Sequence, residues 1–202
     1  MRNQIIEFYN DPDFQRLNSY YNRTTIFNIL NIERRELSHS AFLKWLFDIN
    51  GSHNFGEEPL KKLLRMLVNT DNDNILSEDI LNILLIGDYE IQNFHIETEK
   101  VVESDKNKGR IDIFAKFNIF KENSEKDFKK DVVVIIENKV DSKHHDDQTK
   151  TYKVWADKEY DKSVKIPIYL TPYPESEKDE ITNYFIITYQ DVLEHVIEPL
   201  LN

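Results

Sequence analysis

Asp112 stands in Arg110-Ile111-Asp112-Ile113, and 25 residues further on a β-branched run, Val132-Val133-Val134-Ile135-Ile136, ends in Glu137-Asn138-Lys139. Two carboxylates and an ammonium placed this way suit a hard divalent cation working on a phosphate ester. Mg²⁺ takes oxygen ligands, keeps several waters and uses only one or two protein carboxylates beside substrate phosphate. Asp112 and Glu137 would supply two of those oxygens, and the Asn138 carbonyl a third. Lys139 would orient or help deprotonate a water, or neutralise charge building on the phosphate. The ion itself polarises phosphorus and lowers the pKa of its bound water.

The elements that hold these groups follow from the pattern around them. Val132 to Ile136 is an unbroken apolar run, which reads as a strand covered on both faces. Glu137 and Lys139, two apart, then project to the same face. Ionised side chains at the edge of a dry core are costly unless paired or metal-bound, so the arrangement asks for a partner, and Asp112 on a second strand is the candidate. The bland alternative is an ion pair between Lys139 and Glu137 or Asp112 with no metal. A Glu-x-Lys arises by chance about once in a charge-rich chain of this size. This chain holds one, at the end of its most apolar strand candidate and downstream of an Asp set between two isoleucines.

Hydrophobic residues make up 40% and aromatic residues 12% of the 202 positions, enough for a buried core in one domain, with or without a helical extension. No apolar run approaches the roughly 20 residues of a membrane span. Met1 to Asp11 mixes acids into its first turns and lacks the apolar stretch of a secretory signal. A cytoplasmic location with no membrane partner is therefore expected. Cysteine is absent, which excludes disulfides, thiolate zinc sites and cysteine nucleophiles. The net charge of -11 lowers the affinity expected for a polyanion, although metal-binding carboxylates contribute to it and a bound ion offsets them.

Residues 1–88 read as an N-terminal helical layer. Thr24-Thr25 suits a cap for a segment opening at Ile26-Phe27, with Leu37, Ala41, Phe42, Trp45 and Leu46 at helical spacing and Gly51 at its end. A second helix spans Glu57 to Leu67, with Pro59 in its first turn and Leu60, Leu63, Leu64 and Leu67 as its stripe, and a third runs from Ser77 to Ile86 before Gly87. Residues 89–202 read as an α/β core. Strands are expected at Ile91 to Val102, Arg110 to Ile119, Asp131 to Glu137, Lys165 to Leu170 and Tyr184 to Thr188, with helices at Gln148 to Tyr160 and Gln190 to Leu201. Lys106 to Gly109 is a hairpin-like turn, while Lys121 to Lys130 and Tyr173 to Glu180 are charged surface loops. The order β-β-β-α-β-β-α implies an α/β fold with a helical layer in front of it.

Gln148 and Tyr152, four apart on the helix that follows Glu137-Asn-Lys139, share one helix face. In Arg110-Ile-Asp112-Ile, Ile136-Glu137-Asn-Lys139-Val and Gln148-Thr-Lys-Thr-Tyr152 the chain resembles the PD-(D/E)xK nuclease superfamily, in the branch that carries Gln-x-x-x-Tyr. Glu36-Leu-Ser-His39-Ser40-Ala-Phe-Leu-Lys-Trp45-Leu-Phe-Asp and His53 resemble the N-terminal helical signature of one bacterial family in that branch, so the likeness runs from about Glu33 to Thr188. It implies a restriction-endonuclease-like fold, a mixed central sheet flanked by helices. It implies Asp112 and Glu137 as metal ligands, Lys139 as the catalytic lysine, and Glu36 as an acidic residue presented from an early helix. Gln148 and Tyr152 would brace the metal site and contact the nucleic-acid backbone. Ile111 stands where the superfamily's name has proline.

Other residues have plainer readings. Glu36 also suits a solvated helix acid paired with Arg35 or Lys44, while His39 and Ser40 sit at spacings that could share its face. His144-His145-Asp146-Asp147 fits a helix cap and acidic first turn better than a metal box. His53 reads as a loop or packing residue, Trp45 and Trp155 as core, and Lys61, Lys62 and Arg65 as a solvated basic face. The expected activity is metal-dependent phosphodiester hydrolysis in DNA, with Mg²⁺ as cofactor and Mn²⁺ able to replace it. The expected partner is nucleic acid, with a second copy or a partner subunit supplying any separate DNA-binding module. Two rivals remain: a non-catalytic binding or regulatory subunit that keeps the nuclease fold, and an acidic decoy or inhibitor of a nucleic-acid machine. A role in restriction or phage defence is a fold-level analogy.

Overall fold

The computed structural model describes residues 2–21, 29–32, 34–70, 75–103, 107–122, 127–140, 146–173, 181 and 183–201. The chain divides into two compact units, 1–35 and 36–202. In the first, helices α1 (Arg2–Asn10) and α2 (Pro12–Tyr21) flank Asp11. Its Oδ1 accepts hydrogen bonds from the backbone of Asp13 (2.9 Å) and Phe14 (3.0 Å), so Asp11 caps the second helix. The cap expected at Thr24-Thr25 and the start at Ile26-Phe27 lie outside the described residues.

The second unit carries α3 (Glu36–Phe47), α4 (Glu58–Val68), α5 (Glu78–Ile86), β1 (Glu90–Glu103), β2 (Lys108–Lys121), β3 (Phe128–Asn138), α6 (Asp146–Glu159), β4 (Val164–Leu170) and β5 (Phe185–Ile187). A C-terminal helical run follows: α7 (Tyr189–Val192), a π-helical turn (Leu193–Ile197) and α8 (Glu198–Leu201). The strands form one mixed sheet in the order β1-β2-β3-β4-β5. The first three are antiparallel, while β4 and β5 run parallel to β3. A parallel neighbour needs a crossover, which here contains α6. No helix among the described residues is long and apolar enough to cross a membrane.

Strand alternation divides the core. Val132, Val134 and Ile136 join the larger cluster with Leu43, Leu60, Leu64, Leu84 and Val196, whereas Val133 and Ile135 face Tyr152 and Ala156 of α6. All five residues of the run are buried, each contributing about 1.5–3 kcal/mol. The sheet is therefore dry on both faces at β3. Gly87 ends α5 at φ +75, its N–H donating to Ile83 O (3.0 Å), as a left-handed cap requires.

Several expectations change. Strands β2 and β3 extend through Lys121 and from Phe128, which shortens the expected 121–130 loop, because backbone pairing continues where side chains are solvated. Trp45 is 38% exposed, with Nε1 donating to Ser52 Oγ (3.0 Å), and is not core. Lys106 of the expected hairpin turn, residues 123–126 of the first loop and 174–180 of the second lie outside the described residues.

Candidate active site

Strand β3 delivers its last residues into the middle of the sheet, between β2 and β4. Ile136 pairs with Ile113, and Asn138 with Leu170; the pairing continues as Lys139 N donates to Leu170 O (2.8 Å). Asp112, next to Ile113, faces Glu137 by this register. Its Oδ2 accepts the Asn138 N–H at 2.7 Å. By alternation Glu137 follows Val133 and Ile135 to the α6 face. Its side chain is 2% exposed, and Oε1 pairs with Lys139 Nζ at 2.7 Å. Its Oε2 is buried without a hydrogen-bond partner.

Burial dominates the electrostatics. Glu137 is pushed up from 4.5 to about 7 by desolvation and then by the Asp112 charge, against the pull of Lys139. Asp112 is raised for the same first reason, with the Asn138 N–H and Lys139 opposing. Desolvation acts to lower Lys139, yet the combined charges of Glu137, Glu36 and Asp112 leave it above its ordinary value. Lys139 is therefore an ammonium at neutral pH.

Helix α6 closes this face. Tyr152 is fully buried, and its hydroxyl donates to Arg110 O (2.7 Å). Burial raises it, helped by the charges of Glu137 and Asp112. A Cβ at Gly109 would lie 2.6 Å from the Tyr152 ring, so only glycine admits this approach. Gln148, one turn earlier, has a buried Oε1 without a hydrogen-bond partner.

The opposite face is organised by Asn138, which is fully buried. Its Nδ2 donates to Glu36 O (3.2 Å) and Ser40 Oγ (3.0 Å), and its Oδ1 accepts from the Tyr189 hydroxyl. Glu36 Oε1 in turn accepts the Val140 N–H at 3.1 Å. Helix α3 is thus bolted to the end of β3, and the charge of Glu36 acts on Asp112, Glu137 and Lys139. Lys44 pairs with Asp48 (2.6 Å). His39 packs edge-on against Tyr189 at 5.5 Å.

A model of the PD-(D/E)XK nuclease superfamily matches residues 24–201. The chain belongs to this superfamily. Neither a curated protein nor a solved structure matched it. Membership accounts for the restriction-endonuclease-like arrangement of a five-stranded mixed sheet flanked by helices, and points to nuclease activity and a nucleic-acid substrate. Superfamily nucleases typically use divalent metal ions. Among the described residues no three His, Asp or Glu side chains form a ready metal cage. The donor set nonetheless fits a hard cation: Glu137 Oε2 is an orphaned buried oxygen beside Asp112, and two carboxylates are the protein share that Mg²⁺ takes. Burial has raised both carboxylates, and a cation would hold them ionised.

For this superfamily member the structure gathers Asp112, Glu137, Lys139, Glu36 and Tyr152, each coupled to another through the contacts above, with Gln148 a turn from Tyr152. Tyr152 is sealed beneath the strand end, where it braces rather than reaches outward. His53 is not among them: Nδ1 accepts from Phe55 N (3.0 Å), Nε2 lies 3.0 Å from Asp48 O, and the ring meets Trp45 edge-on. Lys61 is taken up by Glu57 (2.9 Å) and Tyr89 O (2.5 Å). His144 and His145 lie outside the described residues, as do the side chains of Asp146 and Asp147. Tyr189 and Glu99, whose charge also acts on Asp112, carry no local sequence signal. Both reach the site only through tertiary contacts.

Proposed function

We propose that this protein is a divalent-metal-dependent deoxyribonuclease that hydrolyses phosphodiester bonds. The observation that carries the reading is Glu137, buried to 2% with Oε2 unbonded beside a second raised carboxylate. Structural ion pairs seldom leave such an oxygen unpaired. Asp112 and Glu137 hold the ion, with the Asn138 carbonyl as third protein oxygen; Mg²⁺ is the resident and Mn²⁺, with similar ligand preferences, replaces it. Such an ion, when bound, would polarise the phosphate and acidify a water.

The chain's own groups do the rest. Lys139, held above its ordinary pKa, keeps its proton and acts as a cation. It orients the attacking water and offsets charge on the phosphate as the P–O bond breaks. Glu36, anchored at Val140 N, adds a carboxylate at the strand end. Tyr152 braces β2 from below through Arg110 O, and Gln148, a turn away on α6, borders the path of the nucleic-acid backbone. The net charge of -11 favours a second reading, a nucleic-acid-binding or regulatory subunit that has kept the fold without cleavage.

Incubating linear, circular and single-stranded DNA with the protein, with and without Mn²⁺, separates the two. Metal-dependent cleavage that disappears in Asp112→Ala/Glu137→Ala is expected. Cleavage that persists in the double variant sinks the site assignment, and its absence from the wild type leaves the binding-subunit reading.

A further inference from the structure

Strand β1 breaks its own geometry opposite Asp112. Thr98 pairs with Ile113 and Lys100 with Ile111, so Glu99 faces Asp112, and Glu99 is left-handed at φ +59. A non-glycine residue in that region is strained and marks a place where the surroundings enforce it. Alternation fails on both strands at this point. Ile111 and Phe114, three apart, both join the cluster under α6. Lys100 pairs with Glu97 (2.6 Å) while lying over the Phe114 ring.

The strained residue holds an arginine. Glu99 Oε2 pairs with Arg110 Nε at 2.9 Å, and Arg110 is 62% exposed where Glu99 is 29% exposed. No other hydrogen bond or ion pair among the described residues engages the Arg110 guanidinium. With the side chain 62% exposed, its two terminal amino groups are open to solvent as a fork held at Nε. The position is beside the site on two counts: the charge of Glu99 acts on Asp112, and those of Arg110, Asp112 and Glu137 all act on the Tyr152 hydroxyl. Arg110 is also two residues from Asp112 on β2, about 7 Å along the strand.

We propose that Arg110, steered by Glu99, is a phosphate-binding arm of the site that grips the phosphodiester next to the one Asp112 and Glu137 address. A guanidinium held at Nε presents parallel N–H donors that match two phosphate oxygens. The need is electrostatic: even with a divalent ion bound, the four carboxylates of Glu36, Glu99, Asp112 and Glu137 exceed the combined charge of the ion and Lys139 by one, so an incoming phosphate meets net negative charge unless a further cation stands beside them. Glu99 is a positioning residue, acting through Arg110. The proposal rests on the nuclease reading.

The test is fluorescence anisotropy with a labelled oligonucleotide in Ca²⁺ across a salt series, beside cleavage assays in Mn²⁺. Arg110→Gln is expected to weaken binding about tenfold and to lower the slope of log affinity against log salt by about one, with an unchanged thermal midpoint. Arg110→Lys keeps the slope but recovers only part of the affinity, since it lacks the fork. Glu99→Gln weakens binding less, and adds nothing in the Arg110→Gln background, a non-additivity that a general loss of structure does not produce. Wild-type affinity and slope in Arg110→Gln, in a protein that still cleaves, overturn the arm and leave the nuclease standing. Additive effects overturn the steering by Glu99. A wild-type protein that neither binds nor cleaves nucleic acid overturns both readings.

Discussion

The two ends of β3 carry similar residue types in opposite environments. At the start, Lys129, Lys130 and Asp131 are exposed; at the finish, Glu137, Asn138 and Lys139 are buried. Asp131 accepts a hydrogen bond from Asn118, and Lys130 lies 3.6 Å from Asp79 on the surface. Those contacts sit in water and contribute little. At the far end the same chemistry is desolvated: Glu137 is driven to about 7, Lys139 is hemmed by three acids, and Asn138 spends its side chain on α3 and Tyr189. Charge makes a candidate site only where water has been removed from around it.

The contrast can be broken by substitution. Glu137→Gln or Asp112→Asn is expected to lower metal-dependent cleavage by about 10³-fold or more, and calorimetry with Mn²⁺ should show the binding site lost. Lys139→Ala should cost about 10²- to 10³-fold in rate with little change in Mn²⁺ affinity; an equal loss of both would make the lysine a structural partner of Glu137. Asn138→Ala strips a buried set of hydrogen bonds and should destabilise the fold by about 2 kcal/mol or more in urea titration.

Acidity sharpens the same comparison. Because Glu137 is raised from 4.5 to about 7, the folded chain keeps a proton between those values that the unfolded chain has released. The stability this adds is present below about pH 4.5 and is lost as pH rises through about 7. The metal-free protein should therefore lose thermal stability across that window, and Glu137→Gln should flatten the loss. The smallest effects belong to the other end: Lys130→Ala and Asp131→Asn should each change stability by no more than about 0.5 kcal/mol and leave cleavage unaltered.

Much of this was legible beforehand. The β-branched run, the leucine stripe of α4 and Gly87 after α5 set out the elements, since burial on two faces, on one stripe and at a cap each demands particular residues. The order of strands and helices in the second half follows the pattern of turns and periods. Less legible were the charged ends of β2 and β3, where paired backbone needs no apolar side chains, and Trp45, whose ring lies at the surface beside His53 on a helix whose stripe reads as core. The π-helical turn at Leu193–Ile197 leaves no mark on periodicity over so short a stretch.

The amino-acid sequence by itself determined that Asp112 sits on one strand and Glu137 and Lys139 at the end of another, with Gln148 and Tyr152 on one face of the next helix. Those relations are local, set by alternation and helical spacing. Only the tertiary structure decided that Asn138 turns away to bolt Glu36 and Tyr189 to the strand end, and that Glu99, opposite Asp112, pairs with Arg110. These contacts join positions far apart in the chain, and what selects them is the cost of leaving a buried polar group unpaired, a cost that arises only once the sheet and its covering helices have excluded water.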